Sequence, residues 1–443
     1  MTNPRRYHLI SLGCPKNLVD SAGLSALLEA AGFEASDRPR DAGLLIVNTC
    51  GFIESAREES LAVIRDLARH KKARQRLVAA GCYSQRCPEE LAEAVPQIDG
   101  LIGTRRWMEF LDLVRSLDEA DAGHPVCLPP EVPAAQECTP ALHRVAVQGA
   151  SAYLKIADGC RRSCAFCAIP LIKGPAISRR PEDILADARW LAENGVQEII
   201  LIAQDTTDYG RDLDRQITLA GLLEPLVQAI PAVPWIRLMY AYPGRITEPL
   251  IETMASHAQI LPYVDLPLQH AHPDVLRRMA RPADVDQVRR TLARLRTAMP
   301  GVAIRTTLLV GFPGETEAEF EALIDFVAEE RFDRVGVFTY SHEAGTPAAR
   351  LADDVPAELK EERRARIMQL QQGLSLAQNQ KLVGQTLDVL IEGQGDGISV
   401  GRSYRDAPEI DGLVLVQAEL SVGRIIPIVI TSALEHDLLG RPA

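Results

Sequence analysis

Twice along this chain of 443 residues, short apolar runs alternate with stretches of helical periodicity, and that alternation limits the possible folds more than any other feature. Between Tyr7 and Leu117 the runs YHLISLG, GLLIVNT and RLVAAG are each followed by a helical pattern, over Leu18–Ala31, Glu54–Arg69 and Pro88–Val95. Strands separated by helices have room to cross over and pair in parallel, so residues 5–117 are expected to form a parallel α/β domain. Pro125, Pro129, Pro130, Pro133 and Pro140 mark residues 118–143 as a linker. Over residues 144–376 the theme returns on a larger scale, with candidate strands AYLKIA, EIILIAQ, WIRLMYAY, YVDLPLQ, AIRTTLLVG and RVGVFTY. Helical patterns over Pro181–Asn194, Leu219–Ile230, Glu248–His257, Val285–Met299 and Glu317–Glu330 separate them. Six such units predict a partial (β/α)6 barrel, short of the eight that close a full one. A charged helix, Ala357–Leu382, is expected to lead away from it. Residues 378–443 change character: TLDVLIEG, ISVGRS, GLVLVQ and IIPIVITSA, broken by glycines, predict a small all-β barrel. The expected fold class is α/β, with that barrel appended.

Composition bounds the function. Sixty acidic against 48 basic residues leave a net charge of −12, which argues against a chain that grips nucleic acid with its whole surface. No stretch approaches the ~18–20 apolar residues of a membrane span, and the apolar run ending at Gly13 is too short for a signal peptide. A soluble, cytoplasmic protein is expected. Its nine cysteines, an odd number without an export signal, point to metal binding or catalysis rather than a disulfide framework.

Cys160, Cys164 and Cys167 stand in GCRRSCAFCAIP directly after a candidate strand, spaced C-x3-C-x2-C. Three thiolates so close can wrap one metal centre, and thiolates are the usual ligands of iron–sulfur clusters. Three ligands leave one iron of a [4Fe–4S] cluster open to a non-protein ligand. Zinc would want a fourth cysteine or histidine, and none follows within ten residues. Cys14 in SLGCPKN, Cys50 in VNTCGF and Cys82 in AAGCYSQ each fall just past the carboxyl end of a candidate strand. Ligands gather at that edge of parallel sheets, so three residues distant in sequence can meet at one point. Small buried hydrophobes are the alternative reading of these cysteines. Cys87 competes with Cys82 for the third position, although it stands at a helix start before Pro88. Cys127 and Cys138, in the proline-rich stretch, are expected to be free thiols.

The C-x3-C-x-Phe-C loop, with Phe166 before its last cysteine, resembles that of the radical S-adenosylmethionine enzymes. With the three N-terminal cysteines and the C-terminal barrel, the chain is similar over essentially its whole length to the methylthiotransferases of that superfamily. VDLPLQHAHPDVLRRMAR (Val264–Arg281), TTLLVGFPGET (Thr306–Thr316) and YSHEAGTPAA (Tyr340–Ala349) carry further likeness. The resemblance implies an auxiliary-cluster domain, a radical core and a TRAM-type barrel. It also implies two [4Fe–4S] clusters, an auxiliary one on Cys14, Cys50 and Cys82 and a radical one on Cys160, Cys164 and Cys167. One S-adenosylmethionine would methylate sulfur at the first; another would be cleaved at the second to a 5′-deoxyadenosyl radical that takes hydrogen from the substrate carbon.

LIAQDTTDYG (Leu201–Gly210) and YLKIADGC…CAIPLIKG resemble the branch acting on small-subunit ribosomal protein S-twelve, at the β-carbon of an aspartate. The tRNA-adenosine branch would carry an asparagine-bearing run where Gln204 and Asp205 stand. An external electron donor and a sulfur donor are implied partners. A two-cluster carrier without catalysis is the other reading; it would release no 5′-deoxyadenosine. Phe166, Gln204, Asp205, Gln269, His270 and Arg305 are candidates for contacts to S-adenosylmethionine or substrate, whereas His272 and His342 lack metal spacing and are read as structural. From Lys381 onward nine acidic residues face five basic ones. An RNA-gripping barrel should present cations to phosphate, whereas an acidic one complements a basic ribosomal protein. Stable nucleic-acid binding is therefore not expected, and Asp406, Glu409 and Asp411 are expected to share an exposed docking face.

Overall fold

The N-terminal sheet joins β1 (Arg5–Ser11), β2 (Phe33–Ala35), β3 (Leu44–Thr49), β4 (Arg76–Gly81), β5 (Gly100–Gly103) and β6 (Val126–Leu128) in the order β2-β1-β3-β4-β5-β6, parallel throughout. The computed structural model describes residues 5–119, 126–128, 142–214 and 216–443. Helices α1 (Pro15–Ala30), α2 (Glu54–His70), α3 (Cys82–Arg86), α4 (Pro88–Ala94) and α5 (Phe110–Glu119) cover the sheet. Alternate residues of β3 and β4 feed different cores. Ile46 and Val78 pack with Leu24, Leu28 and Phe110, whereas Val47 and Ala79 pack with Ile64, Leu67 and Leu91. A strand covered on both faces is apolar along its length, which is why LLIV and LVAA read as unbroken runs. Helix α1 starts ahead of its apolar pattern because Pro15 suits the first helical position. Strand β6 lies within the stretch read as a linker and adds an edge to this sheet; Cys127 on it is an exposed free thiol, and Cys138 lies outside the described residues.

The central unit contains β7 (Val145–Gln148), β8 (Ser151–Lys155), β9 (Ala157–Asp158), α6 (Ile169–Lys173), β10 (Ile177–Ser178), α7 (Pro181–Glu193), β11 (Glu198–Ile202), α8 (Leu219–Ala229) and β12 (Trp235–Leu238). It continues through α9 (Glu248–Ser256), β13 (Tyr263–Asp265), α10 (Pro273–Arg278), α11 (Val285–Ala298), β14 (Ala303–Val310), α12 (Glu317–Glu330), β15 (Arg334–Thr339) and α13 (Ala357–Gln380). The six expected barrel strands are β8, β11, β12, β13, β14 and β15. Two parallel ladders hold them, joined by a parallel bridge between Ile236 and Ile260. Strand β7 closes one edge in antiparallel fashion. Helix α13 does not lead away. Ile367 joins the barrel core, and Gln371 Nε2 donates to Phe332 O at 2.9 Å.

The C-terminal unit is a closed barrel, β16 (Thr386–Gly395), β17 (Ile398–Ser403), β18 (Val414–Val416), β20 (Leu438–Pro442) and β19 (Ile425–Ala433) in ring order. It docks toward the amino-terminal ends of the central strands. There Glu198 Oε1 accepts from Arg237 Nε at 2.7 Å and Glu198 Oε2 from Arg402 Nη2 at 2.6 Å. Tyr263 Oη donates to Asp411 at 2.7 Å, and Arg334 Nη2 to Asp406 at 2.5 Å. The opposite, carboxyl-terminal mouth is left for the N-terminal domain.

Candidate metal and cofactor site

The carboxyl edges of two parallel sheets face one another across a cavity of about 330 Å³, within the size of pockets that hold small molecules. Cys14 follows β1, Cys50 follows β3 and Cys82 follows β4; Cys160, Cys164 and Cys167 follow β8 and β9, and all six line this one cavity. Gly13 explains how the first triad assembles. Its φ is +88°, and a Cβ there would stand 2.8 Å from Cys50 Cβ and 3.0 Å from Cys50 Sγ, so a bare backbone lets the β1 loop rest on the β3 loop. Cys82 begins α3 beneath them, within electrostatic reach of both thiols. Cys87 does not line the cavity; it caps α4 beside Glu90 and Arg86.

The second triad is fixed through its backbone. Cys160 N donates to Gly174 O at 3.0 Å, Ala165 N to Met279 O at 2.8 Å and Cys167 N to Cys164 O at 3.1 Å. Burial pushes the Cys82 and Cys167 thiols up to about 12, and raises Cys50 and Cys160 as well. Apolar surroundings disfavour thiolates until a cation balances them, and iron supplies that charge. Two three-thiol sets, each gathered from one sheet edge, fit the ligand set of [4Fe–4S] clusters with one open iron apiece.

The remaining lining supplies charge and hydrogen-bonding atoms. Arg162 lies 4.2 Å from the Tyr242 ring centre and donates to Asp205 at 2.7 Å, while Arg281 covers the same ring at 4.5 Å and reaches Cys164 Sγ at 3.5 Å. Lys173 donates to Asp20 at 2.8 Å and to Thr104 at 2.5 Å. Asp20, on α1, also accepts from Lys155 at 2.5 Å and Arg144 at 2.7 Å, so a buried ion cluster ties the N-terminal domain to the core. A second tie is Glu343, which accepts from Arg57 at 2.6 Å and Arg86 at 2.7 Å. Lys16 sits with its ammonium 2.9 Å from the Tyr240 ring centre, and burial pulls it down to about 8. Asn17 Oδ1 and Gln204 Oε1 are buried without a donor. Tyr240 and Gln269 hold φ values of +62° and +75°, unusual for side chains of this size and found where function fixes the backbone.

Phe166, Gln204, Asp205 and Gln269 therefore line the cavity. Arg305 does not. It rises from the amino-terminal half of β14, near the docked barrel, and pairs with Asp265 at 3.1 Å and Asp411 at 3.4 Å. His270 lies outside this lining too, buried behind it and pulled by desolvation down to about 3. His272 caps α10, accepting from Asp274 N at 3.3 Å, and His342 contacts Ala349 O at 3.2 Å. The shared acidic face does not form either. Asp406 and Asp411 are the buried partners of Arg334 and Arg305, and Glu409 alone of the three is exposed. Lys16, Asn17, Arg162, Tyr240, Tyr242, Lys173 and Arg281 escaped the sequence reading, although Lys16, Asn17 and Arg162 stand within two or three residues of cysteines that line the cavity.

Comparison with known proteins agrees with this geometry. The radical SAM superfamily matches residues 154–327, the uncharacterized protein family UPF0004 residues 6–103 and the TRAM domain residues 383–442. A three-cysteine loop at the carboxyl mouth of a (β/α)6 half-barrel, within that superfamily match, defines a radical S-adenosylmethionine enzyme, which uses an iron–sulfur cluster and S-adenosylmethionine. In fold, the chain is similar to the radical S-adenosylmethionine methyltransferase TsrM from Kitasatospora setae, with a TM-score of 0.55 and 14% identity over 90% of this chain and 77% of that one. In sequence, it is 48% identical to the ribosomal protein uS12 methylthiotransferase RimO of Roseiflexus sp. (strain RS-1), covering 98% of this chain and 96% of that one. It is 46% identical to the protein of the same name from Desulforamulus reducens, covering 98% and 99%. The chain belongs to this family of ribosomal protein uS12 methylthiotransferases.

Proposed function

We propose that the protein attaches a methylthio group to the β-carbon of an aspartate in ribosomal protein uS12. In this reading Cys14, Cys50 and Cys82 hold an auxiliary [4Fe–4S] cluster, and Cys160, Cys164 and Cys167 hold the radical one. The observation that carries it is the shared cavity: both triads open onto one space of about 330 Å³. When bound, the radical cluster supplies the electron that cleaves S-adenosylmethionine to a carbon radical able to break an unactivated C–H bond. The chain supplies placement and shielding. Gln204 Oε1, buried without a donor, suits an N–H of S-adenosylmethionine, with Phe166, Asp205 and Gln269 along the same lining. Arg162 and Arg281, both over Tyr242, stiffen the wall beside Cys164. The apolar surroundings that raise the thiols also limit side reactions of a radical with groups other than the substrate.

The functional units assigned are an auxiliary-cluster domain at 5–117, a connecting segment at 118–143 whose strand β6 adds an edge to that domain's sheet, the radical core at 144–376 and a TRAM domain at 378–443. Substrate docking falls to the last. Exposed Asp388, Glu392, Asp396, Glu409, Glu419 and Glu435 outnumber exposed Lys381, Arg424 and Arg441, which favours a basic protein over RNA. No helix among the described residues is long and apolar enough to cross a membrane. The protein would act in the cytoplasm, with an external electron donor and sulfur donor.

Anaerobic incubation of the full-length protein with reductant, S-adenosylmethionine and either uS12 or tRNA tests the reading. The expected result is 5′-deoxyadenosine together with the mass gain of one methylthio group on uS12. Methylthiolation of tRNA alone, or absence of 5′-deoxyadenosine, overturns it.

A further inference from the structure

We infer that Lys16 recognises the side-chain carboxylate of the substrate aspartate and so sets the preference for aspartate over its uncharged amide; this rests on the function proposed above. Four cations line the cavity. Arg162 is held by Asp205 and Asp208, Lys173 by Asp20, and Arg281 by Pro267 O and Cys164 Sγ. Lys16 is only 9% exposed, yet among the described residues no hydrogen-bond acceptor or carboxylate holds its ammonium; it rests on the Tyr240 ring. The group that bears most on its charge is Cys14, assigned above to the auxiliary cluster, and the carboxylates next in effect are held elsewhere. Asp265 accepts from Arg305 and from Tyr240 N, and Asp158 from Lys155. A buried cation with no carboxylate or hydrogen-bond acceptor on its ammonium is costly, so an anion entering the cavity gains from meeting it.

Position identifies the anion. Lys16 is two residues from Cys14, on the side of the cavity proposed to deliver sulfur. The γ-carboxylate of aspartate is bonded directly to the carbon that receives that sulfur, so both must arrive at the same place. Asn17 follows with the complementary atom: its Nδ2 donates to Leu12 O at 2.6 Å, while its buried Oδ1 has no donor and suits a peptide N–H of the same substrate residue. Cation and acceptor come from adjacent positions of one helix.

The test uses anaerobic holoenzyme with uS12 and with uS12 whose target aspartate is asparagine. Lys16→Met is expected to keep full iron content. It should bind aspartate-bearing uS12 roughly 10- to 100-fold more weakly, as for loss of a charged hydrogen bond, with affinity for the asparagine form unchanged. Lys16→Arg should restore part of the discrimination. A Lys16→Met protein that still prefers aspartate overturns the inference. So does equal weakening toward both forms, a raised KM for S-adenosylmethionine with the preference retained, or a loss of iron. If wild-type protein neither binds nor modifies uS12, the proposed function falls first and the inference with it.

Discussion

Gly13→Ala adds one methyl group at a residue whose φ is +88°, and the new carbon would stand 2.8 Å from Cys50 Cβ and 3.0 Å from Cys50 Sγ. Two costs follow. An L-residue in the left-handed region loses roughly 1–2 kcal/mol. Carbon atoms in contact also prefer about 3.5–4.0 Å, so Cys50 must retreat by about 0.7–1.2 Å. Metal–ligand distances tolerate only about ±0.2 Å, so a retreat of that size breaks ligation where other packing would absorb it. Gly32→Ala separates the two costs, because Gly32 has φ +84° with nothing within 4 Å of the added carbon. Gly32→Ala should lose about 1–2 kcal/mol of stability, and Gly13→Ala more than that because it bears both costs. Only Gly13→Ala should lose about half of its iron, the share of one of the two proposed [4Fe–4S] clusters, and all methylthiolated product while still releasing 5′-deoxyadenosine. Iron per chain, measured with chromatography of the nucleoside, reads the difference. Full iron and product in Gly13→Ala, or equal iron loss in Gly32→Ala, would refute the steric argument.

Cys164→Ala should end cleavage of S-adenosylmethionine, whereas Cys50→Ala should keep measurable cleavage and form no product; full product from Cys50→Ala excludes an essential auxiliary cluster. Cys82→Ala should lower iron and abolish product while Cys87→Ala leaves both near wild type, and the reverse iron pattern would move the third ligand. Burial alone would raise the Glu198 carboxyl, but Arg237 and Arg402 hold it at about 2, below its ordinary 4.5. Its contribution to barrel docking is thus complete above pH 4.5 and lost as pH falls toward 2, a step that limited proteolysis with an acid-active protease should detect and that Glu198→Gln should remove. Persistence of that step in Glu198→Gln sinks the assignment.

The strands and the six cavity cysteines were legible because each rests on a local signal. Apolar runs mark buried strands, and a cysteine just past a strand end must lie at the sheet's carboxyl edge. Arg305 shows where that logic stops. It stands in a strand whose carboxyl end does reach toward the cavity, but it occupies the third residue of β14, Ala303–Val310, and so lies near the opposite end. Placement along a strand, not membership in it, decides which mouth a side chain serves. Asp406 and Asp411 fail for a different reason. Counting charges from Lys381 onward treats every carboxylate as solvated, yet these two find Arg334 and Arg305 across a domain interface. A partner so far away in sequence leaves no trace in composition. Lys16 was missed because a lysine beside a cysteine reads as a solvated residue until the fold buries it.

One segment, SLGCPKNLVD, therefore specifies more than a ligand. Cys14 is the residue before α1, Lys16 and Asn17 face the cavity, Val19 packs into the central apolar cluster with Tyr153 and Ile202, and Asp20 accepts from Lys155, Lys173 and Arg144. Successive residues of a helix point about 100° apart, so four consecutive duties on α1 demand burial on nearly every side. Its first turns meet that demand because the parent sheet covers one flank and the central barrel the other. A helix is stiff over this length, and Asp20 is locked to three cations of the radical core. Any displacement of the N-terminal domain would move Cys14, Lys16 and Asp20 together and would have to break that ion cluster first. Truncating one partner of a buried pair costs about 3–5 kcal/mol, enough to hold the two triads in a fixed relation across the cavity. Under the proposed function, sulfur held at one triad must reach a substrate carbon activated at the other, which needs that fixed relation, and here the helix that follows Cys14 carries the bond to the domain of the second triad.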